Sequence, residues 1–174
     1  MHQLELARDL LSHAAWADAE VWSAVCALPE ALTDARLREK LHHIHIVQYA
    51  FPAIWDRRAI DVAPIESFAD ASAMIEWARK GHEALAARVA SMTETEAATH
   101  ASVPWGKLVA ERIGSEPAPV TVGETMLQVA FHSTYHRGQA NSRLRELGGK
   151  PPLVDYIAWI WFGRPAPRWD LLRD

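Results

Sequence analysis

Apolar residues recur at intervals of three and four along most of the chain, which is the periodicity of amphipathic helices. Leu6, Leu10, Ala14, Ala17, Val21, Ala24 and Leu28 trace a first stripe, and Pro29 reads as its stop. Thr33 reads as the N-cap of a second helix, whose stripe runs Leu37, Leu41, Ile44, Gln48, Phe51 and Trp55, with Pro52 expected to kink the last turn. Residues 61–66, with Pro64, form a connection. A third helix is expected to start near Ser67, because Phe68, Ala71, Ile75, Ala78, His82, Leu85, Val89 and Met92 keep the period. The pattern breaks over residues 99–120, where Pro104, Gly106, Gly114, Pro117 and Pro119 fall. Residues 101–103 and 107–109 read there as the arms of a short hairpin about Trp105-Gly106. Thr121-Val122-Gly123-Glu124 is a capping box that opens a fourth helix running to about Leu147, closed by Gly148-Gly149 and Pro151-Pro152. The tail from Leu153, rich in Trp and Pro, is expected to wrap the rest. The pattern predicts one all-α domain over residues 1–174, a four-helix bundle with a short hairpin before its fourth helix and an irregular C-terminal tail.

Composition narrows the function classes. With 49% hydrophobic and 23% charged residues in 174, the chain has ordinary globular proportions. The formal charge is -4, from 18 basic and 22 acidic residues spread along the sequence, so no basic footprint exists for nucleic acid or an anionic membrane surface. Cys26 is the only cysteine, which excludes an internal disulfide and a multi-cysteine metal cluster and fits a reducing cytoplasm. Charges are scattered from Glu5 to Asp9, so no secretory signal is expected, and no stretch reaches the roughly 20 apolar residues of a membrane span.

Among nine histidines, placement selects a few. His132 and His136 are four apart, so their rings leave one face of the fourth helix a turn apart. At about 100° per residue, they lie on the border of the stripe Met126, Val129, Ser133, Ala140 and Leu144. On the second helix the same projection sets His43 beside Val47, Ala50 and Ile54, while His45 shares an edge with Arg38, Tyr49 and Asp56, and His42 points away. His43 is therefore the favoured third ligand. Three neutral imidazoles would hold a divalent ion and leave a position open, the arrangement of a catalytic centre. The segment His132-Ser133-Thr134-Tyr135-His136 lacks the glutamate of zincin proteases, and the single Glu39-x-x-His42 is too little for a di-iron centre. His82, mid-stripe in the third helix, reads first as a buried imidazole bonded to a neighbour, with a pocket role as the alternative; His13 is a similar pocket candidate. His2, His42, His45 and His100 read as solvated. Thr125, Gln128, Tyr135 and Gln139 border the ligand face, either as supporting residues or simply facing solvent. Gly138, inside the helix, suggests a close backbone neighbour.

The run His132-Ser-Thr-Tyr-His136-Arg137-Gly138-Gln139, followed by Leu144-Arg-Glu-Leu-Gly148 and Pro151-Pro152-Leu-Val-Asp155, resembles the fourth-helix signature of the DinB-like metalloproteins. Leu41-His42-His43-Ile44, with Gln48 and Phe51, is similar to that family's leucine-x-histidine segment, and Trp16-Ala17-Asp18 to its Trp-Ala-Asn stretch. The resemblance implies a four-helix bundle, a three-histidine site for nickel, zinc or a similar ion, and homodimers. Relatives include thiol-dependent transferases and a mycothiol-linked isomerase. Gln48 departs from the glutamate often found there, which removes any ionised role for that position.

The functional expectation is a metal-dependent enzyme acting on a small molecule, a thiol-dependent transferase or hydrolase. Its cofactors would be one divalent transition metal, zinc or nickel, and a low-molecular-weight thiol. The ion would acidify a bound water or thiol, while Tyr135 or Gln139 orients the substrate. The competing class is a non-catalytic metal-binding stress-response protein.

Overall fold

Four long helices carry the structure, and side chains set where they start. The computed structural model describes residues 3–172. Among them the order is α1 (Gln3–Cys26), α2 (Pro29–Thr33), α3 (Ala35–Trp55), α4 (Ala71–Ser91), α5 (Glu94–Ala97), β1 (His100–Ala101), α6 (Gly106–Ile113), β2 (Val120–Thr121), α7 (Val122–Glu146) and α8 (Tyr156–Trp161). Single 3-10 turns lie at Ile65–Ser67 and Trp169–Leu172. The protein is all-α apart from one two-stranded ladder.

The capping box at the head of α7 forms as its sequence requires: Thr121 accepts from the Glu124 amide, and the Glu124 carboxylate accepts from the Thr121 amide. Three other boundaries differ from expectation. Pro29 opens the short α2 instead of only ending α1, as suits a residue with no amide to satisfy. Asp34, not Thr33, caps α3, its carboxylate accepting from Leu37 N at 2.8 Å. The third long helix starts at Ala71 behind Asp70, which accepts from Ala73 N at 2.9 Å, while Ser67 belongs to the preceding turn. The local hairpin does not form either. His100–Ala101 pairs antiparallel with Val120–Thr121, and residues 107–109 lie in α6. The excursion is thus tied at its two ends, where β2 runs directly into α7.

The long helices touch in a closed ring, α1 against α4 and α7, and α3 against the same two. Their buried apolar residues form two large clusters. One holds Leu4, Leu11, Phe51, Leu85 and Met126, and the other holds Trp22, Leu37, Ile44, Met74 and Leu144. On α1 the buried stripe is Leu4, Ala7, Leu11, Ala14, Asp18, Val21 and Val25, so Leu6 is left exposed and the stripe passes through an aspartate.

Asp18 belongs to a polar layer between the two apolar clusters. Arg137 of α7 donates to its Oδ1 at 2.6 Å, and His82 of α4 and Gln48 of α3 donate to its Oδ2, both at 3.0 Å. His45 extends the chain, donating from Nδ1 to Gln48 Oε1 at 2.8 Å and accepting the Trp22 indole N–H on Nε2 at 2.9 Å. Each long helix contributes at least one member. The C-terminal segment then crosses α1 and α4, held by Arg164 on Asp9 and Arg168 on Glu20.

Two glycines predict opposite outcomes. A Cβ on Gly81 would lie 2.5 Å from the Tyr49 ring, which is stacked on Trp77 and bonded through its hydroxyl to the Trp77 carbonyl, so it has no easy retreat. Gly138 meets nothing within 4 Å, which corrects the close neighbour suggested for it. Gly81→Ala is expected to lower stability by about 1–3 kcal/mol through overpacking. Gly138→Ala is expected to raise it by about 0.5–1 kcal/mol, since an interior helical glycine carries excess unfolded-state entropy. Urea denaturation of the two variants checks both signs.

Candidate metal centre

Three imidazoles converge where α3 faces α7. Ring centroids are 4.9 Å apart for His43 and His132, 4.4 Å for His43 and His136, and 4.3 Å for His132 and His136. One ring nitrogen or another of each lies within 4.8 Å of those of its two neighbours, close enough for a single ion to touch all three. The four-residue spacing on α7 supplies two of them from adjacent turns, and the α3 to α7 contact brings the third.

Local chemistry suits a cation. His136 Nδ1 donates to Gln139 Oε1 at 2.8 Å, which puts its proton there and leaves the Nε2 lone pair available. His132 Nδ1 is buried and has no partner among the described residues, as expected of an imidazole waiting for a ligand. Burial, with the His136 and His43 rings adding to it, lowers His132 to about 4. The same causes, partial burial first and then His136, lower His43, the most exposed of the three. Two neutral donors at ordinary pH follow from this.

The other site candidates are dispersed. Tyr135 is 66% exposed, its ring set edge-on to His136 with centroids 5.0 Å apart. Gln128 is exposed. Thr125 is buried in the core, accepting from the Trp55 indole N–H at 2.8 Å. His13 is buried, donates to the Val154 carbonyl at 2.9 Å, and lines a cavity of about 410 Å³ between α1, α7 and residues 152–156. His82 is the buried, bonded imidazole its position suggested, and it also lines a cavity.

Two histidines expected in solvent are buried instead. His42 donates to the Ala63 carbonyl at 2.8 Å and stacks on Trp77, because the connection after α3 folds back over that side. His45 is 0% exposed, since its own ring is covered by Trp22 of α1, His82 of α4 and Trp169 of the C-terminal segment. His100 is exposed, as expected, and His2 lies outside the described residues.

Asp18, His45 and His82 are also spaced closely enough to hold an ion. Their atoms are already committed, however. Both His45 nitrogens are used, one as acceptor and one as donor, and both Asp18 oxygens receive donors. The Asp18 oxygens, both His45 nitrogens and His82 Nε2 are thus taken up by a hydrogen-bond network, whereas in the cluster of His43, His132 and His136 only His136 Nδ1 is bonded among the described residues. The network escaped the sequence reading, although its signal was there: Asp18, Gln48, His82 and Arg137 each interrupt a core stripe.

The model of the DinB family matches residues 1–166. The chain belongs to the DinB family. No curated protein and no solved structure matches it. The histidine cluster of this DinB family member can hold a metal ion, and among the described residues no helix is long and apolar enough to cross a membrane.

Two predictions concern the layer beside the centre. Asp18→Ala strands the buried Arg137 guanidinium and is expected to cost about 3–5 kcal/mol, the usual penalty for breaking a buried ion pair from one side. Chemical denaturation with and without added metal checks it. Stability of the metal-free protein is also expected to fall in acid. Burial holds His45 at about 4 when folded against an ordinary 6.5, so between these values the unfolded chain binds more protons and stability drops as pH falls. Burial alone would raise Asp18, but Arg137 and His82 outweigh it and hold its carboxyl below its ordinary 3.8, so a further loss follows under more acid conditions. Thermal unfolding from pH 8 to 3, flat above about 7 and falling below, is the expected profile.

Proposed function

We propose that this protein is a metal-dependent enzyme acting on a small molecule, with His43, His132 and His136 holding one divalent transition metal, zinc or nickel. The observation that carries the reading is the set of three converging imidazoles, two of them held neutral by their surroundings. Structural zinc sites are closed by four protein ligands, whereas three leave a position for water or substrate. A bound ion would supply Lewis acidity there, lowering the pKa of a water or a small thiol.

The chain's own residues have separate tasks. Gln139 fixes the tautomer and the orientation of the His136 ring by accepting its Nδ1 proton. The buried Nδ1 of His132 has no competing protein partner among the described residues. Tyr135, exposed and edge-on to His136, would orient a substrate through its hydroxyl. A thiol-dependent transferase or a hydrolase fits this equipment, with a low-molecular-weight thiol as co-substrate in the first case. The competing assignment is an ion that only braces α3 against α7.

Metal content of protein purified without a histidine tag tests the site. His136→Ala is expected to lose stoichiometric metal, and Gln139→Ala to bind it about 10–100-fold more weakly; full retention by His136→Ala would overturn the assignment. Small-thiol conjugation and hydrolysis assays on the loaded wild type then separate the two classes. Turnover that disappears with the metal supports the enzyme, while metal-dependent stability without turnover supports the brace.

A further inference from the structure

A half-open cavity of about 820 Å³ lies between α1, α4 and the C-terminal segment, away from the three-histidine cluster, and its lining shares no residue with His43, His132 or His136. That volume is in the range of small-molecule pockets. Leu11, Leu85, Val89, Trp159 and Pro165 give it apolar walls. The covering segment is fixed by the Trp159 indole N–H on the Pro165 carbonyl and by the ion pairs of Arg164 and Arg168.

Two ring nitrogens at this cavity lack a protein partner. Trp169 is 6% exposed, and its indole Nε1 is buried with no acceptor among the described residues. His82 is 4% exposed; its Nε2 donates to Asp18, and its Nδ1 has no hydrogen bond among the described residues. Both residues line the cavity, with ring centroids 5.5 Å apart. A buried donor without an acceptor is uncommon in native proteins and calls for an explanation. Charge gives the sign of the missing partner. Arg8, Arg79 and Arg164 line the cavity against Glu83 and Asp170. Glu76 and Glu83 neutralise Arg79 and Asp9 neutralises Arg164, whereas Arg8 is bonded to the carbonyls of Val89, Ala90 and Met92, which leave its positive charge uncancelled at the cavity.

We propose that this cavity is a second small-molecule site, which binds an apolar organic acid by its carboxylate. One carboxylate oxygen accepts from the Trp169 indole N–H. The other lies in the positive potential of Arg8, whose guanidinium is bonded to carbonyls alone among the described residues. The hydrocarbon body lies along Leu11, Leu85 and Val89. No bond is made or broken.

Nitrogen-proton correlation spectra of the indole region test this on the full chain, both metal-free and metal-loaded, with octanoate as the probe. Octanol and octylammonium serve as controls that share its body and change its head. The Trp169 peak is identified by its absence in Trp169→Phe. Octanoate is expected to saturate one site and move that peak in both metal states, with the two controls at least about tenfold weaker. Ala86→Phe, which fills the cavity from α4, is expected to weaken octanoate by about the same factor. The proposal is overturned if octanoate leaves the Trp169 peak in place up to about 10 mM, or if octanol or octylammonium binds as tightly. The head-group comparison uses the wild-type chain alone, and the metal-free arm makes the result independent of the three-histidine centre.

Discussion

A buried carboxylate stays ionised only where enough donors replace the water it has lost, and Asp18 is in that position between the two apolar clusters. Its three donors come from α3, α4 and α7, while the acid itself is on α1. Apolar packing alone tolerates small slips and rotations between helices. A charged contact of 2.6 Å with a fixed guanidinium does not, because a shift of one helix would leave an unpaired ion in a dry interior. The layer therefore selects one mutual register of the four long helices from the many that would bury similar area.

That register reaches the candidate metal centre through α7. Arg137 follows His136 directly in sequence, and it points into the layer while His136 points toward α3. The contrast between the two titratable groups on this part of the molecule is chemical. Both oxygens of Asp18 have found donors, and the result is a structural network. Around His43, His132 and His136 a ring nitrogen of each lies within 4.8 Å of the others, close enough for one cation to be shared by all three.

Much of this was legible in the sequence, and the failures at buried polar positions share one cause. Helical periods, the capping box at Thr121 and the pairing of His132 with His136 depend on local rules, which a single sequence contains. The stripe assigned to α1 ran through Leu6 and Leu10 because it avoided Asp18, whereas the buried face includes it. His43 was preferred over His45 for its apolar neighbours, yet His45 is the interior residue and His43 the exposed one. Local hydrophobicity cannot show which polar residues find partners on other helices, and in this layer Asp18, His45, Gln48, His82 and Arg137 all do. Gln48, an amide and not an acid, is suited to this layer, because it donates to the Asp18 carboxylate at 3.0 Å.

The attachment of Arg137 has a mechanical meaning for the helix that bears it. A cylinder packed by hydrocarbon can turn about its axis at little cost, but one keyed at a single point cannot. With its key seated against Asp18, α7 is indexed like a shaft, and the imidazoles a residue and a turn away are carried round to face α3, leaving Gln139 only the setting of the His136 ring. The direction in which they look is decided on the far side of the helix.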